Sequence, residues 1–173
     1  MKLSEFQTRI KGGVRPNLYK VNFDFPTTAT VANDAVSYLC KSAAIPASTV
    51  GTVELPFRGR VIKVPGDRTF ESWTATFYND IDWKLRNAFE EWVDLTNAKD
   101  ENNASKSVAD VFTDIEVQQL DKFKSGDGQP SPIATYKLVN AFPVSVSQIS
   151  LAYDNNDSYE EFDVEFAYSY FTT

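Results

Sequence analysis

The sequence contains no histidine, and this absence removes a whole set of catalytic arrangements. Imidazole is the usual general acid or base near neutral pH, the middle member of Ser–His–Asp triads and a common metal ligand. The chain also lacks the glycine-rich patterns G-x-x-x-x-G-K-[ST] and G-x-G-x-x-G that cradle phosphates. The sequence therefore argues against an enzyme, and we expect no cofactor and no metal site.

Cysteine is scarce as well, since Cys40 is the only one in 173 residues. A single cysteine excludes an intrachain disulfide, which fits a protein made and kept in a reducing cytosol. Its neighbours are largely apolar, so we expect a buried and unreactive thiol rather than a nucleophile. No apolar run is long enough for a membrane-spanning helix, and the N-terminus lacks the apolar core of a signal peptide.

Positive charge is in deficit, with 17 Lys and Arg against 24 Asp and Glu and a net charge of −7. Nucleic-acid affinity rests largely on neutralising phosphates with Lys and Arg, and the chain offers no basic run. The same balance disfavours docking on anionic membranes. An acidic surface would, however, let nucleic acid slide past without sticking.

The carboxylates do not form a catalytic or metal-binding pattern. Glu161, Asp163 and Glu165 alternate along one predicted strand and share a face, which is typical of a solvated surface. Asp154 and Asp157 frame the tetrapeptide DNND, but the Gly and distal Glu of a calcium-binding EF-hand loop are missing. We expect a plain turn there.

Aromatic residues are abundant at 14%, with 13 Phe and 8 Tyr, and they favour a β-rich fold. Alternating apolar and polar residues predict strands. The polar segment 1–14 reads as a flexible arm, and residues 26–35 read as a loop. The predicted strands are 17–25, 36–43, 69–78, 110–120, 133–142, 146–153 and 159–171.

Residues 51–66 predict an extended hairpin with Arg58–Gly59 at its tip, followed by a turn at Gly66–Asp67. It is too long for a minimal hairpin and carries several large apolar side chains. Two interpretations stay open on these residues alone. The hairpin either folds onto the core of its own subunit or reaches out to another subunit.

A single helix is predicted over residues 79–95, where apolar residues recur at three- and four-residue steps. Asn79 is placed to cap its first turn. The apolar stripe of this helix consists of Ile81, Leu85, Ala88, Phe89 and Trp92. With seven or eight strands and this helix, the sequence predicts one mainly β domain over residues 1–173, a two-sheet β-sandwich or small barrel with the helix packed on it.

Short motifs in a fixed order give the chain a resemblance to a known family. Gly66-Asp67-Arg68-Thr69-Phe70, with Trp73 three residues on, is the most specific of them. The others are Arg15-Pro16-Asn17-Leu18, Cys40-Lys41 with Ala43 and Pro46, Phe89 with Trp92, Phe142-Pro143, Tyr153-Asp154-Asn155-Asn156, and Phe162 with Val164. In these motifs the chain resembles the tail tube proteins of contractile-tailed phages, although its 26–35 loop is longer than the family usually carries.

The resemblance implies a structural virion protein that is assembled in the host cytoplasm. It implies six-subunit rings that stack into a hollow tube, with neighbouring sheets joined into one closed barrel round the lumen. The implied partners are copies of itself, the contractile sheath, baseplate and tail-terminator proteins, the tape measure protein and, transiently, the phage DNA. The expected intersubunit residues are Leu55, Phe57, Arg58, Arg60, Ile62, Asp67 and Arg68, and the expected lumen-lining residues are Glu161, Asp163 and Glu165.

Three other interpretations compete with this one. A baseplate tube initiator or the tube of a contractile injection particle would share the family's architecture. A lipocalin-like barrel would be a monomer with a central apolar cavity for a small ligand. An enzyme has the least support, for the reasons given above.

Overall fold

The computed structural model describes residues 3–10, 13–26, 33–99, 107–124 and 130–173, which form nine strands and four helices. Alternating burial along most strands of the two main sheets produces one buried and one solvent-facing side. In chain order the elements are α1 (Leu3–Ile10), β1 (Tyr19–Phe23), α2 (Asn33–Leu39), β2 (Cys40–Ala43), β3 (Ser48–Phe57), β4 (Arg60–Phe70), β5 (Trp73–Tyr78), α3 (Lys84–Thr96), α4 (Val108–Val111), β6 (Thr113–Lys124), β7 (Pro130–Val146), β8 (Glu161–Ala167) and β9 (Tyr170–Thr172).

Strand β7 belongs to both main sheets and joins them into a sandwich. Its first part pairs with β6 on one side and with β9 on the other, and its last part pairs with β8. The strand order is β1-β6-β7-β8-β5-β2, with every pairing antiparallel. The mainly β, two-sheet fold predicted from the sequence is confirmed, and the described strands of one chain do not close into a barrel.

The core between the sheets is largely aromatic, with the ring of Phe23 at its centre. This ring lies 5.5 Å from the ring of Phe166 and 5.8 Å from that of Phe77, measured between centroids. It also meets Phe89 of α3 at 5.9 Å, edge to face. Such pairs contribute about 0.5–1.5 kcal/mol each beyond the burial of apolar area. The alternation along β5 and β8 thus places the aromatic side of each strand inward.

Helix α3 covers this core with four fully buried side chains of the predicted stripe. They are Leu85, Ala88, Phe89 and Trp92. The indole Nε1 of Trp92 donates a 2.9 Å hydrogen bond to the carbonyl oxygen of Val111, which fixes the helix against α4. Periodicity located the buried face of the helix correctly.

The start of α3 differs from the prediction. Trp83 takes a left-handed conformation (φ 57°) directly before Lys84, so the chain turns there and the helix begins five residues late. Ile81 is almost fully exposed rather than part of the stripe. The side-chain amide of Asn79 donates to Glu160 instead of capping the helix. The predicted cap was therefore wrong, because Asn79 is engaged by the loop that precedes β8.

Two segments predicted to be extended or irregular are helical. Residues 3–10 of the expected arm form α1, in which Thr8 donates to the carbonyl oxygen of Ser4. The predicted strand 36–43 is helical up to Leu39 and extended only from Cys40. Val36 and Cys40 are buried four residues apart, so helical spacing satisfies the apolar pattern as well as a strand does.

In the C-terminal half, Pro143 does not end a strand as predicted. It lies in β7 beside an irregularity in the pairing with β8, a position where a missing N–H is tolerated. The strand then ends at Val146, so the predicted strand 146–153 is instead a loop over residues 147–160. The final predicted strand is divided into β8 and β9.

Further element boundaries differ from those predicted. The predicted strand 110–120 begins with the short helix α4, and β6 starts at Thr113. The hairpin spans Ser48–Phe70, so Gly66–Asp67 lies within β4 and makes no turn. Residues 27–32 of the predicted loop 26–35 lie outside the described residues, and residues 33–35 belong to helix α2 instead of a loop.

Candidate assembly surfaces

The hairpin formed by β3 and β4 stands away from the two main sheets. Every residue of β3 is exposed, and so is every residue of β4 except Gly66 and Phe70, which are half-buried. Strands β3 and β4 pair only with each other within the described chain. The interpretation in which the hairpin folds onto its own core is therefore wrong.

One side of the hairpin is apolar along its length. Directly opposed residues of antiparallel strands point to the same side, and the register pairs Leu55 with Ile62 and Val53 with Val64. Phe57 continues this row beside Arg60. We call the side formed by Val53, Leu55, Phe57, Ile62 and Val64 the apolar face.

The opposite side of the hairpin is mixed in character. Glu54 and Lys63 are opposed there and form an exposed ion pair at 3.3 Å. Pro56 and Val61 lie beside them. The two sides therefore differ enough for one of them to be covered while the other stays in water.

The hairpin tip adopts the predicted two-residue turn. Arg58 (φ 48°) and Gly59 (φ 80°) are both left-handed, as the favoured tight hairpin turns require. The Arg58 guanidinium carbon lies 5.4 Å from the ring centroid of Phe57. Together with Arg60, this gives the tip two positive charges next to an exposed aromatic ring.

The base of the hairpin is anchored to the sandwich by aromatic contacts. Phe70 packs against Tyr168 and Phe171, with centroids 5.9 and 5.7 Å away. Asp67 and Arg68 lie at this end, beyond the irregularity between Val50 and Thr52. The structure thus brings four of the expected intersubunit residues onto one side near the tip, places Arg58 at the turn, and leaves Asp67 and Arg68 apart near the base.

The three acidic residues expected to line a lumen share the solvent-facing side of β8. The opposite side of that strand carries the buried residues Phe162, Val164 and Phe166. Lys41 on β2 binds Glu161 at 2.5–2.6 Å, and this hydrogen bond raises the pKa of the Lys41 ammonium group. The hydroxyl of Thr76 donates to the carboxylate of Asp163 at 2.7 Å. Glu161, Asp163 and Glu165 form a row, with Glu161 neutralised by Lys41.

The loop 147–160 is a second exposed surface, where the sequence pattern predicts a strand and a turn. Leu151, Tyr153 and Tyr159 project largely into solvent from it. Their neighbours Asp154 and Asp157 give the loop an acidic character. The sequence signal for this loop is the pair of tyrosines next to acidic turn residues. Alternation of apolar and polar residues alone does not distinguish such a segment from a strand.

The thiol of Cys40 is poorly suited to chemistry. It is buried, and burial raises its pKa to about 12, so almost no thiolate exists near neutral pH. Within the described residues no group of three or more Cys, Asp or Glu side chains could hold a metal ion. None of the helices in the described part of the chain has the length and apolar character needed to cross a membrane.

Comparison with known proteins decides between the remaining interpretations. The family model described as phage tail tube protein matches residues 14–173, which is nearly the whole chain. This chain belongs to the phage tail tube protein family. Its members are structural components of the virion tail, so the tail tube interpretation prevails over a ligand-binding barrel.

Individual tail tube proteins show the same relationship over most of their lengths. The tail tube protein of Serratia phage KSP90 is 29% identical over 160 residues, covering 91% of this chain and 87% of that protein. Tail tube protein gp19 of Enterobacteria phage T4 is 26% identical over 156 residues, covering 90% and 89%.

The fold is also found in a solved contractile particle. A chain from the sheath-tube complex of an extracellular contractile injection system (PVC) in the extended state superposes with a TM-score of 0.56 at 14% identity. The match covers 99% of this chain and 98% of that one. At this identity the likeness establishes a shared fold.

Proposed function

We propose that this chain polymerises as stacked hexameric rings into the hollow tube of a contractile phage tail, through which the genome enters the host. The observation that carries the proposal is the exposed hairpin. A lone two-stranded ribbon is marginal in water and gains stability when another chain covers its apolar face. The family assignment supports the same role.

Ring formation follows from the open edges of the sandwich. Strand β1 ends one side of the strand order and β2 ends the other, and among the described residues no strand pairs with the outer edge of either. Such edges invite pairing with another chain unless they are covered. Joining the sheets of six subunits into one closed barrel would pair the backbone groups of these edges and enclose a lumen.

The acidic row on β8 is our candidate for the wall of that lumen. DNA carries one negative charge per ~1.7 Å of axis, so a basic bore would hold it back. With Glu161 paired to Lys41, the row stays net negative through Asp163 and Glu165, and its repetition in every subunit would instead repel DNA weakly. A side-chain-resolution map of the assembled tube tests this assignment. We expect the row to face the bore, and its presence on the outer wall would overturn it.

The partners of such a tube are the sheath around it, the baseplate and terminator proteins at its ends, and the tape measure protein inside it during assembly. The fold shared with a chain of a sheath-tube complex is consistent with a sheath partner. A tube inside a sheath needs permanent contacts between its own subunits, and such interfaces commonly bury more than about 2,000 Å².

The role of the hairpin can be tested with a matched pair of variants. We expect Ile62→Asp on the apolar face to abolish tubes in negative-stain images, because an unpaired carboxylate would be buried in every repeat of the contact. Val61→Asp changes an equally exposed neighbour on the opposite side and should still assemble. Circular dichroism should show both variants folded. Normal tubes from Ile62→Asp would contradict the proposal, as would a wild-type protein that remains monomeric at high concentration.

A further inference from the structure

We propose that the basic hairpin tip of one copy docks on the acidic loop 147–160 of the next copy along the tube. This inference rests on the proposed function, because it names the surface that receives the hairpin. It commits to a second copy of this chain as the occupant. Three observations carry it, namely the position of the two surfaces, their charges and their exposed apolar side chains.

The hairpin and the loop lie at opposite ends of the same sheet. The hairpin follows Ala43 and precedes Trp73, and Trp73 is paired with Phe166 near the end of β8. The loop leads into Glu161 at the start of β8, which is paired with Tyr78 at the end of β5. The six-residue length of β5, about 20 Å, separates the two ends.

Surfaces at opposite ends of a subunit produce a head-to-tail contact. A contact of this kind leaves one free surface of each type at the two ends of any stack, so it repeats without limit. A contact between two hairpins would instead use up both surfaces and stop at a pair. The placement of the two surfaces therefore suits a polymer.

The charges of the two surfaces are complementary. Hairpin residues 48–70 contain four basic and two acidic side chains in a chain of net charge −7. Loop residues 147–160 contain three acidic side chains and no basic one. Patches of opposite charge attract each other during encounter, and patches of like charge repel incorrect partners. The tip residues Arg58 and Arg60 would face Asp154 and Asp157.

Exposed apolar groups accompany the charges on both sides. Phe57 is 61% exposed at the tip, and Leu151 is 79% exposed on the loop beside a fully exposed Tyr153. The loop also walls a surface concavity, which extends from Gln148 to Glu161. Each surface thus presents an exposed aromatic ring, which stands beside positive charges at the tip and beside negative charges on the loop.

Hydrogen bonds hold the loop in a defined shape at both ends. The guanidinium of Arg86 donates to the carbonyl oxygen of Ser147 at 3.1 Å. At the other end, the backbone and the side-chain amide of Asn79 both donate to Glu160, each at 2.9 Å. In between, Ser158 donates to the side chain of Asn155 at 2.7 Å. The receiving surface is therefore preorganised.

Charge reversal tests the pairing directly. One variant carries Arg58→Glu with Arg60→Glu, and the other carries Asp154→Lys with Asp157→Lys. We expect each variant alone to form at least tenfold fewer tubes than the wild type in negative-stain images. A mixture of the two should recover tubes, because every contact between unlike copies again joins opposite charges. Circular dichroism should show that both variants are folded.

The matched control replaces the exposed residues Arg9 and Lys122 by Glu, which changes the net charge as much as the tip variant does but outside both proposed surfaces. It should assemble as the wild type does. Normal assembly of the loop variant alone would overturn the inference, and so would a mixture that stays unassembled. If the wild type itself forms no tubes, the proposed function fails instead, so the two failures are distinguishable.

Discussion

The hydroxyl of Tyr19 donates a 2.9 Å hydrogen bond to the carbonyl oxygen of Cys40. Tyr19 begins β1 and Cys40 begins β2, the two strands at opposite ends of the strand order. The side chain of Tyr19 therefore links two edge strands that are not paired with each other. We expect this bond to hold the two edges of the sandwich in a fixed relation.

Replacing Tyr19 by Phe should remove this bridge while keeping the aromatic ring. The carbonyl oxygen of Cys40 would lose a partner, which costs about 1 kcal/mol of unfolding free energy. Urea denaturation monitored by tryptophan fluorescence measures the change. Tyr38→Phe is the matched control, because the side chain of Tyr38 is 87% exposed and its hydroxyl should contribute little. Equal effects of the two substitutions would contradict the assigned bridge.

The thiol of Cys40 should resist modification in the folded protein. Burial raises its pKa to about 12, and the thiolate is the reactive form. We expect a thiol reagent at pH 8 to label the native chain slowly, and to label it rapidly and stoichiometrically in urea. Since Cys40 is the sole cysteine, the signal reports this site alone. Fast labelling without denaturant would show that the site opens readily.

Stability should fall as the solution becomes alkaline. Burial raises the pKa of Tyr19 to about 12 from 10.0, and that of Cys40 to about 12 from 9.0. The unfolded chain therefore loses these protons first, so their contribution is complete below pH 9 and is lost as the pH rises towards 12. The thiol of Cys40 adds a slope of up to about 1.4 kcal/mol per pH unit within its window, and the more exposed hydroxyl of Tyr19 adds less because solvent screens its charge. Denaturation curves from pH 8 to 11 measure the slope, and Cys40→Ala should reduce it.

The carboxylate of Asp114 supports a strained point in β7. It accepts the backbone N–H of Asn140, a left-handed residue (φ 55°), and pairs with Lys137 at 2.9 Å. The hydrogen bond from Lys137 is the main cause of the lowered pKa of Asp114. The stabilisation is therefore present above the ordinary carboxyl pKa and is lost as the pH falls through the lowered value.

We accordingly expect Asp114→Asn to lower the unfolding free energy at pH 7 by up to about 1 kcal/mol, a modest value because both charges are partly exposed. The difference from the wild type should shrink at pH 2–3, where the wild-type carboxyl also becomes neutral. Thermal denaturation at both pH values measures it. Glu91→Gln on the exposed side of α3 is the control, and a difference that persists unchanged in acid would refute the assignment.

Where one face of an element is buried, the sequence was a good guide. Two-residue alternation groups Trp73, Ala75 and Phe77 on one side of β5 and Phe162, Val164 and Phe166 on one side of β8. The structure buries both groups, because burial on one side imposes a two-residue period. The three- and four-residue steps in α3 likewise identified its buried face. Both predictions depend on local periodicity, which is independent of the rest of the fold.

Where periodicity is ambiguous or absent, the sequence was insufficient. Val36 and Cys40 fit a strand or a helix, and tertiary contacts decide between them. The hairpin posed a different difficulty, because Leu55 and Ile62 resemble core residues in sequence although both are about half exposed in the subunit. In the proposed tube these side chains would contact a neighbouring copy, and local pattern carries no information about such a contact.

The continuous run of β7 through both sheets has a mechanical consequence. Because its 17 residues pair with β6 and β9 in one sheet and with β8 in the other, a push on either sheet reaches the other along covalent bonds. Bending one sheet relative to the other would therefore require this single strand to be deformed.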